Sequence, residues 1–361
     1  MSKESELQKL REEIDSADNK LLTLINERAR LATIVAEIKR ADSEQVEYYR
    51  PEREAQVLRE IIKNNPGPLD DLEVARLFRE IMSACLALEQ KLEIAFLGPA
   101  ATFTQAAALK HFGHAVNTNP QTSIADVFRI VESGVCHYGV VPIENSTEGS
   151  VNQTLDLLIS SSLKICGEVQ LPIHHNLMSP AESLAEIKKV WSHEQSLAQC
   201  RSWLDKNLPN VERIAISSNA EAAMTAIKDI TGAAIAGSIA AEHYKLPILE
   251  KNIEDEPDNT TRFLIIGQNN ARASGQDKSS ILFANANVPG ALQKSLACFA
   301  DNNINMSRIE SRPSKHGMWE YVFFVDVEGH ADDSLMQKVL EDLKQHTLMI
   351  KVLGSYPHAP L

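Results

Sequence analysis

The chain of 361 residues carries 36 Lys and Arg against 49 Asp and Glu, a formal charge of −13, with 43% hydrophobic and 24% charged residues. That length supports two or three domains with cores of their own, and the composition excludes disordered and fibrous classes. The acidic balance, with no basic block, argues against a nucleic-acid partner, and no run of about 18 apolar residues offers a membrane span. Five scattered cysteines (Cys85, Cys136, Cys166, Cys200 and Cys298) form no CxxC pair, which favours a reducing compartment over a disulfide framework or a structural zinc site. The charged start, Met-Ser-Lys-Glu-Ser-Glu, lacks the apolar region of a secretory signal, so the expected location is the cytoplasm.

Glycine divides the chain. Only Gly67 precedes residue 94, and the other 14 glycines lie between Gly98 and Gly354. Glycine weakens helices and suits turns, so the first 92 residues read as helical and the remainder as strand, turn and helix. Leu7, Leu10, Ile14, Ala17, Leu21, Leu24, Arg28, Leu31, Val35 and Ile38 recur three and four residues apart. This heptad seam predicts one long helix, opened by a capping box at Ser5 and Gln8. A second helix should start at Pro51 and run to about Asn64, broken by Asn-Pro-Gly-Pro at 65–68. A third should start with Asp70 and Glu73 as a capping box and continue to about Gln90. So long a first helix would expose its seam unless a partner chain covered it, which predicts dimerisation.

From Glu93 onward strands are expected near 94–97, 138–143, 164–178, 190–192, 213–216, 233–236 and 262–266, with helices between them, one of them over about 196–207. The alternation reads as α/β layers, in two lobes around a cleft. Gln268–Lys278 is polar and reads as a linker. Beyond it, the order strand, helix, strand, hairpin near Lys315-His316-Gly317, strand, helix, strand is a ferredoxin-like βαββαβ unit.

Arg28 occupies a seam position, and Arg11 and Lys39 flank the seam. Either they are snorkelling and rim charges, or they serve an anion. Arg28 and Lys39, 11 residues apart, are separated by about 16 Å and three turns, so both could reach one small anion. Arg11 lies about 42 Å from Lys39 and could join them only from an antiparallel partner helix. Glu54 and Glu89 fall near the apolar stripes of the second and third helices, where a carboxylate needs a cationic partner. Cations of the first helix could supply it. Together these groups describe a pocket for a small dianion.

With these residues in view, 1–92 resembles the all-helical chorismate mutase module, matched by Arg11, Arg28, Lys39, the Arg53-Glu54 pair, and Cys85 with Glu89. The resemblance implies rearrangement of chorismate to prephenate within one molecule and without a cofactor. Two arginines would hold the dicarboxylate in a folded reactive conformer. Lys39 would face the breaking ether oxygen, and Glu89, if protonated, would be the second donor. Arg50 stands where some relatives carry Asp.

Three turns carry the signal in the α/β region: Phe96-Leu97-Gly98-Pro99-Ala100-Ala101-Thr102-Phe103-Thr104, Val140-Val141-Pro142-Ile143-Glu144-Asn145-Ser146-Thr147-Glu148-Gly149-Ser150, and Asn259-Thr260-Thr261-Arg262-Phe263. Two are strand-to-helix turns whose free backbone N–H groups suit carboxylates. Taken alone, each is also an ordinary capped helix start. These segments, with Ser192-His193 and Ala198-Gln199-Cys200, make residues 93–268 similar to prephenate dehydratase, a two-lobed fold of the periplasmic-binding-protein kind. Ala101 departs from the usual glycine, and Glu194 from a frequent proline. The resemblance implies loss of CO2 and of the ring hydroxyl from prephenate, giving phenylpyruvate with no metal or organic cofactor. Thr261 would donate to the leaving hydroxyl with Glu144 as a partner. Arg262 would anchor a carboxylate, and Thr102, Asn145, Ser146, Ser192 and Gln199 would contact substrate. Adjacent His174 and His175, read in a strand, would face opposite sides and make a poor metal pair.

Val288-Pro289-Gly290-Ala291-Leu292 and Ile309-Glu310-Ser311-Arg312-Pro313, set in the βαββαβ pattern, resemble the ACT-type regulatory domain of prephenate dehydratases. Residues 279–361 would then bind phenylalanine as an inhibitor at an interface between paired modules, through Gly290, Ala291, Leu292, Glu310, Ser311 and Arg312. The expectation is a bifunctional, homodimeric or tetrameric enzyme of phenylalanine synthesis. Two other readings stay open on the residues: a non-catalytic binder of small anions or amino acids, and a dehydratase whose helical module serves only dimerisation.

Overall fold

A computed structural model describes residues 3–42, 49–313 and 321–359. The expected hairpin near Lys315 lies outside the described residues. The first module is α1 (Lys3–Asp42), α2 (Pro51–Lys63) and α3 (Asp71–Glu89). Pro51 opens α2 at its first position, where a missing N–H costs nothing. The Asp70 carboxylate caps α3 by accepting the Leu72 N–H at 2.9 Å. The expected box is not closed, because Glu73 takes Arg76 instead, at 2.9 Å. At 40 residues α1 is about 60 Å long, and α3 packs along part of it. Its heptad seam stays open in the single chain: Leu10 is 54% exposed, Leu24 60% and Ile38 59%.

The chain then alternates β1 (Glu93–Leu97), α4 (Phe103–Phe112), β2 (Asn117–Gln121), α5 (Ile124–Glu132), β3 (Tyr138–Asn145), β4 (Gly149–Ser150), α6 (Asn152–Ser160) and β5 (Lys164–Pro172). It crosses to a second lobe of β6 (Asn176–Met178), β7 (Lys189–His193), α7 (Glu194–Gln199), α8 (Arg201–Asn207), β8 (Glu212–Ile216), α9 (Asn219–Ala226), β9 (Gly232–Ala236), α10 (Ser238–Tyr244) and β10 (Ile248–Glu250). It returns to the first lobe as β11 (Thr260–Gly267). The first sheet has the order β2-β1-β3-β11-β5 and the second β10-β6-β9-β7-β8. β11 runs antiparallel between β3 and β5 and buries Phe263, Leu264, Ile265 and Ile266.

Three elements differ from the sequence expectation. β2, Asn-Thr-Asn-Pro-Gln, has no apolar alternation; it is an edge strand, where Pro120 is tolerated, held by parallel pairing with β1. The run 164–178 is two strands, because the chain leaves one sheet after Pro172 and enters the other at Asn176. The expected helix 196–207 divides at Cys200, which is fully buried.

The third module is β12 (Asp277–Ala284), α11 (Ala291–Ala300), β13 (Met306–Pro313), β14 (Tyr321–Glu328), α12 (Ser334–His346) and β15 (Met349–Pro357), with sheet order β13-β14-β12-β15. It is docked closely. A Cβ at Gly354 would come within 2.2 Å of the Ile165 carbonyl oxygen, so β15 lies on β5 only because that residue has no side chain. The segment read as a linker is docked as well. Arg59 of α2 donates to Ser274 Oγ at 2.7 Å and to the Gln276 carbonyl at 3.2 Å, joining the first and third modules.

Candidate active sites

The helical module offers one cluster. Burial raises the Glu89 carboxyl above its ordinary range, while Lys39, Arg40 and Arg28 oppose that shift. Three cations of α1 therefore lie within electrostatic reach of one acid on α3. Arg40 also donates to the Glu89 backbone carbonyl at 2.7 Å, which fixes the end of α3 against α1. Glu89 Oε2 is buried and has no hydrogen-bond partner among the described residues. Cys85 lies one turn earlier and is buried. Arg11 is exposed far along α1, and Arg53 is exposed on α2.

Glu54 requires a correction. Its partner is not a cation of α1 but Arg79 of α3, whose Nε donates to Glu54 Oε1 at 3.2 Å. Arg79 also donates to the Lys110 carbonyl of α4 at 2.9 Å, so this buried pair ties the helical module to the first lobe. Both acids faced apolar stripes in the sequence, but α3 supplies Glu54 with its own cation.

The second site is the cleft between the lobes, a cavity of about 400 Å³. It lies beyond the carboxyl ends of β1, β3 and β7, the usual place for a ligand in an open α/β sheet. No Lys or Arg lines it among the described residues. Instead the starts of α4 (Thr102, Phe103), α7 (Gln195, Ser196), α9 (Ser218, Asn219) and α10 (Gly237) converge on it. Helix N-termini carry partial positive charge, so the cleft can hold anions without a cationic side chain. The Thr102 side chain leaves the first turn of α4 uncapped, donating instead to the Leu97 carbonyl at 3.2 Å.

Thr261 lines this cleft and is 9% exposed. Asn145 Nδ2 donates to its Oγ1 at 2.8 Å and to Asn259 Oδ1 at 2.9 Å. Asn145 Oδ1 in turn accepts the N–H groups of Thr147 and Glu148, which fixes the amide's orientation. Because Thr261 Oγ1 accepts from Asn145, its own proton is left to donate. Across the cleft, Gln199 Nε2 donates to Glu148 Oε1 at 3.4 Å, a long bond between the lobes. Burial raises Glu148's carboxyl, and His193 opposes that shift. His175 is 1% exposed and its Nε2–H donates to Gln199 Oε1 at 2.8 Å. Burial lowers its pKa and so favours the neutral imidazole, while the Gln199 hydrogen bond and Glu254 oppose that shift.

Strand alternation decides the other expected residues. Thr261 and Asn145 are paired across β11 and β3, and so are their neighbours Arg262 and Glu144, which face the opposite side of the sheet. Arg262 therefore does not reach the cleft. Its Nε donates to Glu168 of β5 at 2.7 Å, while Nη1 donates to Asp326 at 2.6 Å and Nη2 to Tyr356 OH at 3.1 Å, both of the third module. Lys278 completes this buried set on Glu168 at 2.8 Å. Burial works against the Arg262 charge, but Tyr356, Asp326 and Glu168 outweigh it and raise its pKa. Breaking one side of such a network strands buried charge. Arg262→Met is thus expected to lose about 3 kcal/mol or more of stability, read as a lower denaturant midpoint. A carboxylate anchor would instead raise KM for prephenate at unchanged stability.

Glu144 pairs with Arg308 of β13 at 3.1 Å and does not join Thr261. Ser146 donates to Asn259 and holds the loop rather than lining the cleft. Ser192 is fully buried behind the cleft wall and donates to Asn219 Oδ1 at 2.9 Å, positioning that lining residue. His174 and His175 lie between strands; His174 goes to Glu254 at 2.7 Å. Asn259, Glu148 and His193 stood within the segments read from sequence without being singled out. His175 carried no sequence signal, because its burial depends on the crossing between lobes.

Ala101 sits at φ 67° and is 2% exposed. A Cβ in left-handed backbone is strained. Ala101→Gly is therefore expected to raise stability by about 0.5–1 kcal/mol, measured by urea denaturation.

In the third module Gly290, at φ 78°, is the N-cap of α11, with Ala291 and Leu292 following. Glu310 and Arg312 are turned toward the first lobe: Ser150 Oγ donates to Glu310 at 2.9 Å, and Arg312 meets Asn152 at 2.8 Å and Asp156 at 2.9 Å. Ser311 is exposed on the other face of β13.

A helical cation cluster, a two-lobed cleft fed by helix N-termini and a ferredoxin-like module define a multidomain enzyme of small anionic substrates. Three family models match: chorismate mutase type II over residues 10–90, prephenate dehydratase over 94–271 and the ACT domain over 279–345. The bifunctional chorismate mutase/prephenate dehydratase of Pseudomonas aeruginosa is 53% identical over 365 residues, covering 100% of both chains. That of Neisseria gonorrhoeae is 51% identical over 354 residues, covering 97% of each. The crystal structure of prephenate dehydratase from Arthrobacter aurescens in complex with L-Phe is 36% identical, with a TM-score of 0.68, covering 74% of this chain and 90% of that one. The chain belongs to the bifunctional chorismate mutase/prephenate dehydratases, with an ACT domain at its C-terminal end.

Proposed function

We propose the following division of labour between the two sites. In the helical module, Arg28 and Arg11 of the partner subunit bind the two carboxylates of chorismate and hold it folded. Lys39 and a protonated Glu89 donate to the ether oxygen as its bond breaks, stabilising charge that exists only in the transition state. Supply of Arg11 from a second copy also explains an α1 seam whose leucines are half or more exposed in one chain. The active form is therefore at least a dimer. Cys85 and Arg53 border this pocket.

In the cleft, prephenate is held by helix N-termini, Asn219 and Gln199, with its ring hydroxyl at Thr261. The carbon–carboxylate bond breaks, its electrons enter the ring, and the C–O bond releases hydroxide, which Thr261 stabilises by hydrogen bonding as a proton is supplied. Aromatisation drives the step. The observation that carries this reading is the Asn145–Thr261 hydrogen bond, which leaves the threonine proton as a donor into the cleft.

The Arthrobacter neighbour, solved with L-Phe, supports phenylalanine as the ligand of the third module and as a feedback inhibitor. Five cysteines without a disulfide, and the absence of a helix long and apolar enough to cross a membrane among the described residues, are consistent with a cytoplasmic enzyme. Supplying chorismate and following prephenate and phenylpyruvate together, with and without phenylalanine, tests the whole reading. Formation of prephenate alone would refute the dehydratase assignment. A phenylpyruvate rate unmoved by saturating phenylalanine would refute the regulation.

A further inference from the structure

The hairpin formed by β3 and β4 has two faces with different duties. On the cleft face Asn145 holds Thr261 and Glu148 reaches Gln199 of the other lobe. On the opposite face, Glu144 and Ser150 form a register pair and both are held by one side chain of the third module. Arg308, 11% exposed, places Nε 3.1 Å from Glu144 Oε2 and Nη2 2.9 Å from Ser150 Oγ. Glu310 accepts from the same Ser150 hydroxyl at 2.9 Å. The guanidinium thus spans both strands of the hairpin immediately beside the residue that orients Thr261. Its planar fork makes this a geometric clamp as well as a charge pair.

We propose that Arg308 is a positioning residue for the dehydratase step, contributed by the ACT module and acting through Glu144 and Ser150 on Asn145 and Thr261. The proposal rests on the reading of Thr261 as the donor to the leaving hydroxyl. Since the hairpin sets where the donor stands rather than whether substrate enters, loss of the clamp should lower kcat more than it raises KM. A small displacement of a reacting group is costly even when its cause lies outside the site.

The test compares Arg308→Met, Arg308→Lys, Glu144→Gln and the Arg308→Met/Glu144→Gln double variant in the full-length enzyme. Arg308→Met should lose about tenfold to a hundredfold in dehydratase kcat, with KM within about twofold and chorismate mutase activity unchanged. Arg308→Lys should recover part of the loss, and the double variant should be no worse than Arg308→Met. Full dehydratase kcat in Arg308→Met overturns the proposal, as do single losses that multiply in the double variant or a fall confined to KM. Should Arg308→Met fail to fold, the isosteric Glu144→Gln decides alone: lowered kcat in the folded protein supports the clamp and unchanged kcat refutes it. Thr261→Ala serves as the control, since activity surviving there refutes the donor assignment irrespective of Arg308.

Discussion

Thr261→Ala is expected to reduce dehydratase turnover by about 10²–10⁴-fold, the range for losing a positioned proton donor, while chorismate mutase turnover stays within about twofold of the parent. The size follows from the geometry. Thr261 is 9% exposed in a cleft with no lysine or arginine on its walls among the described residues, and Asn145 already occupies its acceptor position. No neighbouring cation can substitute for the lost hydroxyl, and truncation leaves Asn145 Nδ2 with only Asn259. The separation of activities follows from the architecture, since the mutase cluster lies on α1 and α3, outside the lobes. Stopped assays with chorismate and with prephenate as separate substrates check both halves. Thr261→Ser should keep much of the rate, because it keeps the hydroxyl. Parallel loss of both activities in Thr261→Ala would mean misfolding or a shared site.

Lys39→Ala should lower chorismate mutase kcat by about 10²–10³-fold, the cost of removing one donor to developing negative charge, without touching the dehydratase. The companion prediction concerns pH. Burial raises the Glu89 carboxyl, and Lys39, Arg40 and Arg28 only partly offset it. A neutral carboxyl donates and a carboxylate cannot, so mutase activity should be highest on the acid side of the raised pKa and fall as pH rises through it. Stability has the same sign. The folded state binds this proton more tightly than the unfolded chain, so Glu89's contribution is lost as pH rises from the ordinary carboxylate value through the raised one. Glu89→Gln should abolish the decline, because an amide donates at any pH. A mutase rate flat from about pH 5 to 8.5 in the parent, with unchanged substrate binding, would remove Glu89 from this role. Removal of Lys39 should also move the profile to higher pH still, since one of the cations that favour the carboxylate and hold its pKa down is gone.

Much of the mutase cluster was legible in the sequence because a helix has one period. Arg28, Lys39 and the seam positions share a face wherever the helix sits, and the 11-residue spacing survives folding unchanged. Glu54 was misassigned by the same logic. Periodicity says that it faces inward but not which neighbour waits there, and Arg79 belongs to another helix. In the α/β region the Thr-Arg-Phe segment pointed to a strand that lines the cleft, yet of its two polar residues only one faces it. Register with β3 set Thr261 beside Asn145 and Arg262 beside Glu144, and that pairing is between segments more than a hundred residues apart. The polar strand β2, held by its neighbour rather than by its own pattern, was invisible for the same reason.

The sequence by itself determined the family, the division into a glycine-poor helical part and α/β parts, the cation-bearing face of the first helix and the hydroxyl on the last cleft strand. These are properties of local spacing and of segments short enough to be read whole. Only the tertiary structure decided which face of β11 opens onto the cleft, that helix N-termini converge there, and that Arg262 and Arg308 belong to the joint with the ACT module. Each of those depends on where distant strands and helix ends are brought together. On the proposed reading, a net charge of −13 coexists with dianionic substrates because a few cations and backbone dipoles act at short range, where water and salt screen them least.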